Sequence, residues 1–222
     1  MEKKESYRHM LPHFQQPGQA YFLTWSLIDA LPPKALYVYT LQLRQINFNI
    51  QIAKKENENE ETLAGLQMEY ATLRRKYMKA YDDLLHLQTK FIVDLSKKEN
   101  QEIVLESLCY WEGKRLENYA ICVMKNHVHW VFRLYNKNEF DKPVYLQDIL
   151  GSVKRFSANK INKLEGLQGS MWQKESYDTT IRDDKHLIRA VEYTINNPVK
   201  AGLVRDWKDW KGTLIAPGFR SL

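Results

Sequence analysis

The chain has 222 residues, 44% of them hydrophobic, enough to bury a sizeable core as one domain with an elaboration. Two cysteines, Cys109 and Cys122, exclude a disulfide-stapled scaffold and lack zinc-site spacing, so both are expected as buried thiols in a reducing compartment. The net charge of +6 fits a polyanionic partner such as nucleic acid, and equally a solvated surface. No apolar run approaches the length of a membrane span, and the polar start lacks the apolar core of a signal peptide. A soluble cytoplasmic protein is the expectation.

In chain order, Ala20-Tyr21-Phe22-Leu23-Thr24-Trp25-Ser26-Leu27 is aromatic and β-branched enough to predict a strand, ended by Asp29 and Pro32-Pro33. A helix is predicted over 34–54, followed by the polar run Lys55-Glu56-Asn57-Glu58-Asn59-Glu60-Glu61. Beyond it Leu63, Leu66, Tyr70, Leu73, Tyr77, Ala80, Leu84, Leu87 and Phe91 alternate steps of three and four, the apolar seam of a heptad. The simplest reading is a helical hairpin over 34–95 with the polar run at its tip. It would be inserted in a domain made of 1–33 and 96–222. Such a stripe is more often internal packing than a dimer coiled coil; monomer and homodimer both stay open.

A further helix is predicted over 103–112. Strands follow at 119–124 and 128–134, with Lys125-Asn126 as the polar break. A helix over 146–164 has a basic side formed by Lys154, Arg155, Lys160 and Lys163. Another runs over 185–197 and is expected to stop near Pro198. Without a Gly-rich βαβ turn, the class is α+β.

Two constellations could carry chemistry. In His127-Val128-His129 the imidazoles, two apart on a strand, project to one face, a good start for a divalent-ion site. A bare His-x-His is more often a polar strand start, and a histidine-triad hydrolase would want a third histidine where Val131 stands. Near the C-terminus Tyr193 and Asn197 are four apart on a helix, so a phenol sits beside an amide oxygen. A core tyrosine and a helix-stopping Asn before Pro198 are the plain alternatives.

Together and in this order the segments resemble a known family. Val123-Met124-Lys125-Asn126-His127-Val128-His129 is similar to the His-hydrophobe-His signature of HUH endonucleases. Glu192-Tyr193 through Asn196-Asn197-Pro198-Val199-Lys200-Ala201-Gly202-Leu203-Val204 resembles the tyrosine helix of REP-associated tyrosine transposases. Met171-Trp172-Gln173, Tyr177-Asp178, Ile181-Arg182-Asp183-Asp184, and upstream Pro12-His13-Phe14 and Tyr21-Phe22-Leu23-Thr24-Trp25 fit the same pattern. The hairpin is longer and more polar than the family leads one to expect.

The resemblance implies an HUH-type antiparallel sheet with packed helices. It implies His127 and His129 as metal ligands with Asn197 the third, and Mg²⁺ or Mn²⁺ as the ion. Tyr193 would be the nucleophile that leaves a 5′-phosphotyrosine and a free 3′-hydroxyl on single-stranded DNA near palindromic (REP) hairpins. Free tyrosine, with a pKa near ~10, needs help to ionise. Lys154, Arg155, Lys160 and Lys163 would meet phosphates, with Trp172 and Tyr177 available for base stacking. Asp178 and Asp183 could orient the histidines, or serve as turn and cap residues; capping is favoured for Asp183. A bacterial, nucleoid-associated protein would follow. The competing readings are a DNA-binding module without turnover, a water-using metal phosphodiesterase, and a coiled-coil adaptor.

Overall fold

A computed structural model describes residues 6–8, 12–14, 16–32, 34–87 and 90–220, and the expectations carried by Pro33 and by His13's side chain lie outside the described positions. Two short strands, β1 (Ser6–Arg8) and β2 (Pro12–Phe14), pair with each other. The chain divides into two compact units, a larger one holding His13–Ala30 and Phe91–Leu222 and a smaller one holding Leu31–Lys90.

The larger unit is built on a five-stranded sheet of β3 (Ala20–Ser26), β4 (Leu116–Val123), β5 (His127–Leu134), β6 (Tyr177–Thr180) and β7 (Thr213–Ile215). Its order is β6-β3-β5-β4-β7, antiparallel throughout. The predicted strands around 20–27, 119–124 and 128–134 are its centre. β6 and β7 are too short to give a period-2 pattern and went unread. Strand β5 is buried on both faces except at Arg133, as a central strand covered on both sides must be.

Register sorts the side chains. Because alternate residues face opposite ways, Phe22, Thr24 and Ser26 share a face with His127, His129 and Val131, their Cα partners. On that face lies α5 (Asp184–Lys200), whose Ala190, Val191 and Ile195 pack with Ala120 and Val131. The other face carries Trp25 and Trp130, whose rings meet edge-on at 6.2 Å. Trp172 packs against Trp25 and donates from Nε1 to Ser157 Oγ at 3.0 Å. That contact fixes α4 (Leu146–Glu165) over the face opposite the histidines. Beside it α3 (Lys98–Cys109) is tied to α4 by Lys97–Glu165 and Lys160–Glu106 ion pairs of 2.8 and 2.9 Å.

Two element boundaries of the larger unit and one cysteine differ from expectation. α3 starts five residues before the predicted 103 because its first turn is polar, with Asn100 buried through Nδ2 bonds to Asp94 O and Glu165 Oε1. α5 continues through Pro198 to Lys200: in a last turn proline sacrifices one intrahelical bond while its φ suits the helix. Cys109 is exposed, unlike Cys122, whose thiol burial pushes up to about 12.

The smaller unit is the helical hairpin, α1 (Tyr37–Lys55) and α2 (Glu60–Leu87). At the tip Asn57 takes a left-handed φ of 52°, and Asn59 Oδ1 accepts from Thr62 N at 2.8 Å, capping α2. Of the predicted stripe only Tyr77 is fully buried, joined by Tyr81 and Leu85. Two helices alone bury only their line of contact, so Leu63, Leu66 and Leu73 stay half-wet and Leu87 is exposed. Phe91 falls beyond the helix. Among the described residues, no helix is long and apolar enough to cross a membrane.

Candidate active site

The sheet brings the two sequence constellations to one place. His127 and His129 open β5 on the α5 face, and their Nε2 atoms stand 3.1 Å apart. His127 Nδ1 lies 2.7 Å from Asn126 Oδ1, and a carboxamide oxygen only accepts, so this nitrogen carries the proton. His129 Nδ1 lies 2.9 Å from Thr24 Oγ1, its Cα partner across β3. With both Nδ1 atoms engaged, the two Nε2 atoms face one point. Two ligands at about 2.1 Å from one ion, ninety degrees apart, are separated by about 3.0 Å. The pair therefore fits a divalent ion.

Tyr193 stands beside this pair. Its ring meets His129 edge-on at 5.4 Å and Phe22 edge-on at 5.6 Å, while Phe22 also stacks on His129 at 5.9 Å. Phe22 thus packs against both the His129 imidazole and the Tyr193 phenol. Asn197 is buried one turn further along α5, on the face Tyr193 uses. Lys200, two turns from Tyr193, holds Nζ 5.4 Å from its ring centroid. Among the described residues no group of three His, Cys, Asp or Glu side chains could hold a metal.

Other expected residues fall elsewhere. Asp183 is the α5 N-cap, accepting from His186 N at 2.7 Å. Asp178 is the Cα partner of Leu23, so it faces away from the histidines. The imidazole Nδ1 atoms meet Thr24 and Asn126 instead; both stand in the family-like motifs, but only the register brings Thr24 opposite His129. Trp172 and Tyr177 are 6% and 7% exposed. Trp172 belongs to the core beneath α4, and Tyr177 lies in the sheet row of Thr24 and His129, so neither offers an open ring for stacking.

The basic helix is divided. Lys154 turns inward and donates from Nζ to Gln173 O, Lys174 O and Glu175 O at 2.9, 3.4 and 3.5 Å, and burial pulls its ammonium down to about 8. It clamps the segment leading into β6. Lys160 is paired with Glu106. Arg155 and Lys163 are exposed, on the helix opposite the histidine face.

A solved structure of a REP-associated tyrosine transposase bound to a REP hairpin aligns with 96% of this chain and 82% of its own length, with a TM-score of 0.51 at 16% identity. This is the fold of a REP-associated tyrosine transposase. Over 101 residues the chain is also 29% identical to a Haemophilus influenzae protein named as a candidate REP-associated tyrosine transposase. That match takes in 42% of this chain and 56% of the relative, so the chain spans little more than half the relative's length. No family model matches. The resemblance to REP-associated tyrosine transposases read from the motifs is thus met independently by sequence and by fold.

Proposed function

We propose that the chain is a single-strand DNA endonuclease and strand transferase of the HUH tyrosine type. Carrying this reading is the convergence of two imidazole Nε2 atoms at 3.1 Å with the Tyr193 ring packed on one of those imidazoles. His127, His129 and Asn197 would hold Mg²⁺ or Mn²⁺, which supplies Lewis-acid stabilisation of charge on the scissile phosphate. Tyr193 Oη attacks phosphorus, the bond to the 3′-oxygen breaks, and a 5′-phosphotyrosine and a 3′-hydroxyl result. Phe22 packs against the phenol ring, and the Lys200 ammonium lies over its face. Since the phosphotyrosine retains the bond energy, the 3′-hydroxyl can reverse the step, which suits cutting and rejoining. A DNA partner, single-stranded and carrying hairpins, is supported by the REP hairpin bound to the structural relative; of the basic helix, Arg155 and Lys163 are exposed to meet its backbone.

The test is a denaturing gel of labelled hairpin DNA from the gene's flanks with Mn²⁺ or Mg²⁺. A metal-dependent, protein-sized adduct should form with the native chain and vanish in Tyr193→Phe and His127→Ala. Cleavage surviving Tyr193→Phe would make water the nucleophile. Tight binding with neither cleavage nor adduct would leave a DNA-binding protein.

A further inference from the structure

The smaller unit carries a groove that the active site does not use. It lies between α1 and α2, has a volume of about 680 Å³, and is walled by Gln42, Gln45 and Asn49 from one helix and Met68, Thr72 and Lys76 from the other. The three carboxamides are spaced three and four apart, so they stand in a row on one face. Gln45 Nε2 donates to Asn49 Oδ1 at 3.0 Å. That bond leaves the Gln45 oxygen as an acceptor and the Asn49 amide as a donor, the pairing that a base edge presents to a protein.

Gly65 also lines the groove. Glycine inside a helix costs about 0.5–1 kcal/mol relative to alanine, and no packing demands it here, since a Cβ would meet nothing within 4 Å. What the missing side chain provides is room.

Charge selects the occupant. Arg75, Lys76 and Lys79 are exposed on α2, and no acidic residue occurs between Asp29 and Glu56. Phe48, next to Asn49, is 59% exposed, open for a base to stack. A second copy of α1 would set Arg44, Lys54 and Lys55 against like charges. A lipid surface has no use for an amide row. We propose that this groove is a second site that binds single-stranded DNA, with bases against the amides and Met68 and phosphates on Arg75, Lys76 and Lys79; Glu69, the one acid of the lining, would accept from a base amino group. The proposal rests on the DNA-processing reading and names where the hairpin holds unpaired strand.

The test uses the full chain in a Tyr193→Phe background and fluorescence anisotropy with a labelled, mixed-sequence single strand of about 15 nucleotides. Gly65→Leu fills the groove while improving helix propensity, so its melting temperature should hold or rise. Affinity for the strand should nevertheless fall roughly five- to tenfold, as it should for Gln45→Ala/Asn49→Ala. Arg75→Gln/Lys76→Gln/Lys79→Gln should flatten the slope of log Kd against log salt by about 2. Gly65→Leu binding within twofold of its parent overturns the proposal. So does a changed sedimentation coefficient with unchanged DNA affinity, which would mark a protein interface. Adduct formation by the native chain is scored separately: adduct with groove-independent binding sinks the groove alone, and groove-dependent binding without adduct sinks the nuclease.

Discussion

At the scale of single residues, the candidate site holds each imidazole by a hydrogen bond at Nδ1, His127 to Asn126 and His129 to Thr24. Thr24→Val keeps the shape of β3 but removes the oxygen facing His129 Nδ1. Loss of such a partner typically costs ten- to a hundredfold in metal affinity, so Mn²⁺ binding followed by electron paramagnetic resonance should weaken by about that factor. Unchanged affinity would mean Thr24 does not orient the ligand. Lys154 makes a different prediction. Its folded pKa, about 8, lies below the ordinary 10.5, so the folded chain releases this proton before the unfolded chain does. The cost of burying the charge is full below pH 8 and is relieved as pH rises toward 10.5. Relative to Lys154→Met, urea stability should therefore improve by roughly 1 kcal/mol between pH 7 and pH 9, and a flat difference would rule out the buried ammonium.

At the scale of elements, the candidate site is a strand start crossed by a helix. Strand β5 supplies both imidazoles because its period of two puts them on one face, and α5 supplies the phenol and the amide because its turn spaces them by four. Precision in α5 depends on its first turn, where Asp183 satisfies a backbone N–H that has no intrahelical partner. Asp183→Ala should cost about 1 kcal/mol in urea unfolding. Adduct formation should fall only slightly, because Ala190, Val191 and Ile195 still seat the helix on the sheet. A collapse of activity at full stability would show that the cap also sets the Tyr193 position.

At the scale of the whole molecule, the larger unit holds its own core and both halves of the candidate site. Where the chain leaves and re-enters that unit, Ile92 N donates to Asp29 Oδ2 at 2.6 Å, so the two ends stand side by side. A short Gly/Ser linker can therefore replace 31–90. The shortened chain should unfold cooperatively and still form the Tyr193 adduct, but lose single-strand affinity to the same extent as Gly65→Leu. Failure of the shortened chain to fold would show that the hairpin is structural.

Sequence alone determined the elements whose signals are local. The α+β class, the central strands, the long helices, His127-Val128-His129 and the Tyr193–Asn197 spacing were legible because period two and period 3.6 are written in consecutive residues. The short edge strands β6 and β7 were not, because three or four residues carry no period. Tertiary structure decided everything that depends on pairing. Register placed Thr24 against His129 and turned Asp178 to the far face. Helix packing buried Trp172 and Lys154, which composition could only count as an aromatic and a cation. A side chain's type fixes what chemistry it can do, but the residues that become its neighbours lie far away along the chain, and only folding brings them within reach.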